Sequence, residues 1–388
     1  MGLTPTSAAP QPISLKSIPI IAENITAEGV VFSGKTIVTY ENLQGVSLDI
    51  LVTGRDTAGN ILWTRTIGSE LDEIATAITV DFKGDIWLAG SSNSSTSLVS
   101  TESATAIQNP INPDSVSVEE VAPIRSDLNN LNLWHLTALG ETRTSLALSL
   151  ENPVLVNGIS VSATGISVIA IGETGPVLIS ANLQGNFKKP VSIGAMKTEL
   201  TSIIRNDDGS LHLFGSSSEN LYGKKLAGKR DGILIKTSSA GKVLSVVRSS
   251  VSNGARVWSS STPSNFLTGN VTTSSTSEIA ITKFSSKFVP TWTTRISGSG
   301  KSIGVNGPRG SFFVALTPRK IKGLDKWVPA KGQSAIVVFN SQGIMTAAYS
   351  EPKLGSVIAA AFSKDSGIAL LAQQRGSNQN SIFYLNSK

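Results

Sequence analysis

No cysteine occurs anywhere in the chain. That excludes a disulfide scaffold, a cysteine-ligated zinc site and a thiol nucleophile, without fixing the compartment. Histidine is nearly as scarce, with only His135 and His212 present. Each lies in an apolar stretch (NLWHLTAL and SLHLFG), where a solvent-facing or inter-blade role outweighs metal ligation, because metal sites need clustered ligands. Charge is thin: 15% of the 388 residues are Asp, Glu, Lys or Arg, with a mild net charge of +6. No apolar run approaches the roughly 18 residues of a membrane span. No stretch keeps a 3.6-residue hydrophobic period, so no long helix is expected. The opening MGLTPTSAAPQP has neither a basic nor an apolar signal region, and residues 1–11 read as a flexible polar tail from which an upstream signal or anchor has been removed.

What the chain has instead is small polar turns and short alternating strands. DFKGDIWLAGSS (Asp81–Ser92) returns as NDDGSLHLFGSS (Asn206–Ser217). Related copies start at Val31 (VFSGKTIVTY), Ser162 (SATGISVIAIG) and Gly307 (GPRGSFFVAL), with weaker ones at Ser261 and Ser363, giving seven, most of them spaced by 44 to 56 residues. A second turn-plus-strand signature follows each of the first six, as in TAGNILWTRTIG from Thr57 and NSQGIMTAAYSE from Asn340. A further apolar strand lies between the two signatures. Each unit therefore reads as four antiparallel strands, the mark of a β-propeller blade. The fold expected is all-β: a seven-bladed β-propeller over residues 12–388, with residues 91–128 as a long inserted loop. The last unit runs out after its third strand, and Pro12–Ile20 (PISLKSIPI) has the alternation of a fourth. Residues 12–22 are thus expected to complete the last blade and close the ring.

The run Ile61–Ser92 resembles the bacterial seven-bladed β-propeller repeat found in many secreted or surface proteins. It carries that repeat's Trp-bearing outer strand, acidic connection, apolar inner strand, Asp-x-x-Gly turn and aromatic strand ending in glycine at Trp63, Asp72, Ile78, Asp81, Gly84, Trp87 and Gly90. A fair likeness extends over Thr201–Val247. The resemblance implies a propeller and an extracytoplasmic (secreted or cell-surface) place. It implies no particular activity.

In such a ring the loops between second and third strands open on one face, and three of them are long. The first, at 91–128, is acidic, with Glu102, Asp114, Glu119, Glu120 and Asp127 against Arg125 for a net −4. It could fold over the others as a lid. The second, Ser216–Arg230, holds Tyr222, Lys224, Lys225, Lys229 and Arg230 and sums to +3. The third, Thr317–Gly332, holds Arg319, Lys320, Lys322, Lys326, Trp327 and Lys331 and sums to +4. Loops on a rigid scaffold are where binding concentrates, although lysine-rich loops are also ordinary solvated surface.

No nucleotide loop, dinucleotide fingerprint, calcium loop or sialidase-type turn is present. Glu70, Asp72 and Glu73, in the connection after the first unit, are the candidate channel-mouth acids for a hydrolase or lyase. Nucleic-acid binding needs a denser basic track with stacking aromatics. The expectation is a monomeric, non-enzymatic extracytoplasmic module without a cofactor, binding a protein partner or an anionic envelope polymer through the loop-bearing face. The alternatives are the channel-mouth enzyme and a structural platform in a surface assembly.

Overall fold

The computed structural model describes residues 12–93 and 127–386. Seven sheets form, each with a core of four antiparallel strands. Blade 1 comprises Gly29–Ser33, Thr36–Gln44, Leu48–Arg55 and Ile61–Ile67. Blade 2 comprises Glu73–Val80, Ile86–Ser92, Asn130–Leu136 and Thr142–Ser149. Blade 3 runs from Leu155 to Ser192 and has a two-residue fourth strand; blade 4 runs from Thr198 to Ser249. Blade 5 runs from Ala255 to Gly298, blade 6 from Ile303 to Ser350, and blade 7 begins at Leu354. The helical content among the described residues is one 3-10 turn, Pro308–Gly310. No helix there is long and apolar enough to cross a membrane.

The glycine that recurs in the second strands of blades 2, 4 and 5 has a physical reason. Gly90, Gly215 and Gly269 face Ala75, Leu200 and Trp258 on the first strands of blades 2, 4 and 5, beside bulges. A Cβ on any of the three would overlap a backbone carbonyl oxygen, that of Ile74, Glu199 or Val257. Glycine is what lets the bulged backbone come so close. The bulged residues are Thr76, Thr201 and Ser259, and Asn157 holds the same place in blade 3.

Those bulges stitch the ring. Thr76 Oγ1 donates to the Val156 carbonyl at 2.8 Å and Asn157 Nδ2 to that of Leu200 at 3.1 Å. Thr201 Oγ1 donates to the Trp258 carbonyl at 2.8 Å and Ser259 Oγ to that of Ser302 at 2.7 Å. Lys301 Nζ reaches the Ile358 carbonyl at 2.6 Å, Asn380 Nδ2 that of Ala27 at 3.0 Å, and Asn42 Nδ2 that of Ala75 at 2.9 Å. Every one of the seven blade-to-blade seams thus carries a side-chain-to-carbonyl bond. A bond of this kind stabilises by about 1 kcal/mol. Outside this ring the blades pack through apolar layers, such as Val38, Tyr40, Val52, Ala75, Ile86 and Leu88 between blades 1 and 2.

Closure by the N-terminus is observed, and it is divided differently from the sequence expectation. Ile20–Ile25 is the strand antiparallel to Asn380–Asn386 that completes blade 7. Leu15–Ser17, within the stretch expected to complete that blade, instead runs parallel to Met345–Ser350 as a fifth strand of blade 6. Between them Ile18 is fully buried among Ile303, Phe313, Ile336, Leu354, Ile368 and Phe383 of blades 6 and 7. Pro19 has no N–H for a ladder, so it sits where the chain steps from one blade to the next; its carbonyl accepts the Tyr384 amide at 3.0 Å.

Candidate functional site

Antiparallel order puts the second-to-third loops and the blade connections on one face, as expected. The described part of the acidic loop is limited to its ends; 94–126, with Glu102, Asp114, Glu119, Glu120 and Arg125, lie outside the described residues. The two basic loops stand on blades 4 and 6, with blade 5 between them.

The blade 6 loop is bound to the scaffold at several points. Pro318–Lys320 forms a fifth strand on blade 5, pairing Lys320 with Ser297 and Pro318 with Gly298. Ile321 is buried with Phe312, Phe339 and Ile296. The Ile13 amide donates to the Gly323 carbonyl at 2.9 Å, and the Asp325 amide donates back to Ile13 at 2.9 Å. Leu324 and the half-buried Trp327 lean on the same apolar cluster. Arg319, Lys320, Lys322, Lys326 and Lys331 stay exposed. The sequence shows their charge but not this fastening, which is made by residues of blade 5 and the N-terminal segment.

Under Lys320–Lys322 lies a groove of about 440 Å³ between the outer strands of blades 5 and 6. Its walls include Thr294, Ile296, Ile321, Phe339 and Met345, with Arg295, Lys320 and Lys322 at the rim. The Trp292 ring lies against Gly343 of the groove wall, its indole donating to the Ser341 carbonyl at 3.0 Å. Gly343, at φ 81°, has no room for a Cβ against the Trp292 ring. Sequence reasoning missed this groove, because it is assembled from two blades and a loop far apart in the chain.

In the blade 4 loop, Tyr222 is half exposed, and its hydroxyl donates to the Ser192 carbonyl at 3.3 Å. Lys224, Lys225 and Lys229 are exposed. Arg230 is occupied: it pairs with Glu199 at 2.7 Å and donates to Ser216 Oγ at 2.6 Å. The loop's base is the fully buried Asp231, which accepts the Ala227 and Gly228 amides and faces Arg248 at 3.2 Å. Burial pushes the Asp231 carboxyl up, but the Ala227, Ser250, Gly228 and Arg248 contacts outweigh it and hold the group below the usual aspartate range.

The acids proposed for the channel mouth lie where the chain passes from blade 1 to blade 2. Asp72 accepts the Leu48 amide at 2.8 Å. Glu70 is exposed. Glu73 is buried at the start of its strand; Ser69 Oγ donates to its Oε1 at 2.6 Å, while Oε2 is enclosed without a hydrogen-bond partner. The channel, about 430 Å³, is lined largely by the first strands, with Thr76, Asn157, Thr201 and Ser259, together with Glu28 and Lys301 just before two of them, and none of the three acids is among its lining residues. Burial raises the Glu73 pKa, the Ser69 bonds lower it, and Asp49 and Asp72 add to the rise. A carboxyl with a raised native pKa opposes folding once ionised: the cost is absent below the unfolded value and grows as pH rises through the native one. Glu73→Gln is therefore expected to stabilise the protein at pH 7 and to give no gain near pH 4. Melting curves at the two pH values test this, and a variant less stable at pH 7 contradicts it.

His135 stacks on Trp87 at 4.0 Å and lies 3.3 Å from Asp85. With Asp81 these groups present ligand atoms within 4.8 Å of one another. In-chain donors already use the carboxylates: Asp81 takes the Lys83 and Asp85 amides and the Trp87 indole, and Arg143 sits 3.4 Å from Asp85. The trio locks the Asp-x-x-Gly turn. His212 packs between blades 4 and 5 against Phe214 and Phe288, at 6.2 and 5.0 Å.

No protein-family model matches the sequence, and no curated protein does. Solved structures do match in shape. The WD40 domain of Toxoplasma gondii coronin superposes with a TM-score of 0.53 at 11% identity, over 98% of this chain and 89% of that one. YCF48, in a structure with a D1 peptide, gives 0.52 at 13% identity, over 97% and 100%. The Dos1 propeller gives 0.50 at 11% identity, over 97% and 96%. With the seven closed sheets, these likenesses establish the fold: a seven-bladed β-propeller.

Proposed function

We propose that this chain is a non-enzymatic extracytoplasmic binding module of the bacterial propeller-repeat kind. Its binding side is the basic one, centred on 317–332 and the blade 5–6 groove, with the blade 4 loop (Tyr222, Lys224, Lys225, Lys229) as a second contact. The partner is a protein or an anionic envelope polymer. One observation carries the reading: five exposed cations stand on a loop that is strand-paired, hydrogen-bonded and apolar-anchored to the scaffold. Cations held on an ordered backbone lose less conformational freedom on binding than those of a free loop. YCF48, similar in fold, is described as bound to a peptide.

The test is cosedimentation with isolated bacterial envelopes over a range of salt, comparing the native protein with the fourfold variant Lys224→Glu, Lys225→Glu, Lys320→Glu, Lys322→Glu. Binding is expected to fall with salt and to be lost in the variant. Equal, salt-insensitive binding by both proteins contradicts the proposal.

A further inference from the structure

We infer that the outer edge of blade 5 takes an extended polypeptide segment as an added β-strand, with apolar side chains alternating with acidic ones. This deepens the binding reading above by naming the chemistry of a protein partner and the place where it sits.

The argument starts from the ladder. The Phe284 amide donates to Asn265, toward the second strand of its blade. Alternation along the third strand then turns Ile279, Ile281 and Lys283 toward the outer strand, where they pair with Ile296, Thr294 and Trp292. The intervening Thr293, Arg295 and Ser297 turn their backbone groups outward. Ser297 is already used, by Lys320. Thr293 and Arg295 are exposed, and no further strand pairs with them in the blade 5 sheet. The free edge Thr291–Arg295 spans about 17 Å at 3.4 Å per residue, and a strand added along it would be collinear with the short strand Pro318–Lys320. Unpaired edges are templates for another strand.

The two faces of that edge differ in chemistry. Cross-strand partners share a face, so Thr293 and Arg295 lie with Thr282, Ala280 and Lys320, while Thr294 and Ile296 lie on the groove side. On the first face Arg295 and Lys320 stand with buried Arg256, which donates to Thr282 Oγ1 at 2.9 Å and lies over the Trp258 ring at 4.2 Å. Glu278, 3.4 Å from Arg295, is the carboxylate there. On the second face is the groove floored by Ile296, Ile321, Phe339 and Met345. A strand laid on the edge sends alternate side chains to these two sides. The groove selects apolar residues, and the cationic side selects Asp or Glu. The same solution is built into the chain next door, where Leu15–Ser17 covers the outer edge of blade 6.

The experiment selects a random twelve-residue phage-displayed peptide library against the full chain, then maps amide hydrogen exchange with an enriched peptide bound. The expected peptides alternate apolar and acidic residues, and they slow exchange over Pro290–Ile296 at least tenfold. Thr293→Pro removes one outward N–H from an edge strand, where proline is tolerated, and is expected to weaken the peptide at least tenfold while Thr293→Val does not. Met345→Trp, which fills the groove from blade 6, is expected to weaken it as well, and covers the case of a misfolded proline variant. No enrichment, enriched peptides lacking the alternation, or unchanged exchange at Pro290–Ile296 overturns the inference. So does protection there that rises with protein concentration alone, which assigns the edge to a second copy. Salt-sensitive envelope binding that persists alongside any of these results leaves the broader binding proposal standing.

Discussion

Removing residues 1–25 is expected to abolish cooperative folding, and Ile18→Asp alone to destabilise the protein by about 4 kcal/mol or more. The segment supplies the fourth strand of blade 7 and the fifth of blade 6. Among its described residues Ile18 alone is fully buried, and it fills the seam between them. Without it Asn380–Asn386 becomes a free apolar edge, and the ring is no longer closed by pairing between its two ends. Burying a carboxylate at Ile18 puts a charge among aliphatic and aromatic neighbours with no partner. Circular dichroism melts and calorimetry check both variants. A truncated protein that melts cooperatively within a few degrees of the full chain contradicts this account of closure.

Gly215→Ala is expected to cost about 3 kcal/mol or more, well above an ordinary glycine replacement in a strand. The added methyl overlaps the Glu199 carbonyl, which belongs to backbone rather than to a yielding side chain. To relieve it, the bulge at Thr201 must move, and the Thr201 bond to blade 5 goes with it. The control is Gly172→Ala, also on a second strand, where the nearest neighbours of the new Cβ are at 3.4 Å and include only a side chain at that distance. There the change is expected to stay within about 1 kcal/mol of native. Chemical denaturation of both variants decides the point: equal effects contradict the role assigned to the bulge.

These two cases also show what could be read from the sequence. Seven blades were legible because the turn and second-strand residues are local and repeat: the Asp81 side chain bonds the Lys83 and Asp85 amides, and Gly84 takes φ 84°. Even the weak fifth copy keeps the requirement, with Asn265 at φ 58° in place of glycine. The bulges were not legible, because Thr76 or Thr201 looks like any strand threonine. Closure was legible in kind but not in position, since residues on both sides of Pro19 alternate and the parallel partner of Leu15–Ser17 lies more than 300 residues away. Charge in the two basic loops was plain; its availability was not. Arg230 is taken by Glu199, whereas Lys320 is left exposed by a strand that fastens its backbone and Lys322 is exposed just beyond that strand.

The separation of the basic loops by blade 5 gives the central claim its most direct measurement. Two double variants, Lys320→Glu/Lys322→Glu and Lys224→Glu/Lys225→Glu, are to be compared with the native protein in envelope cosedimentation at low salt. With 317–332 as the main binding surface, the blade 6 pair loses most of the binding and the blade 4 pair retains most of it. Loss confined to the blade 4 pair, or binding untouched by either, contradicts the assignment.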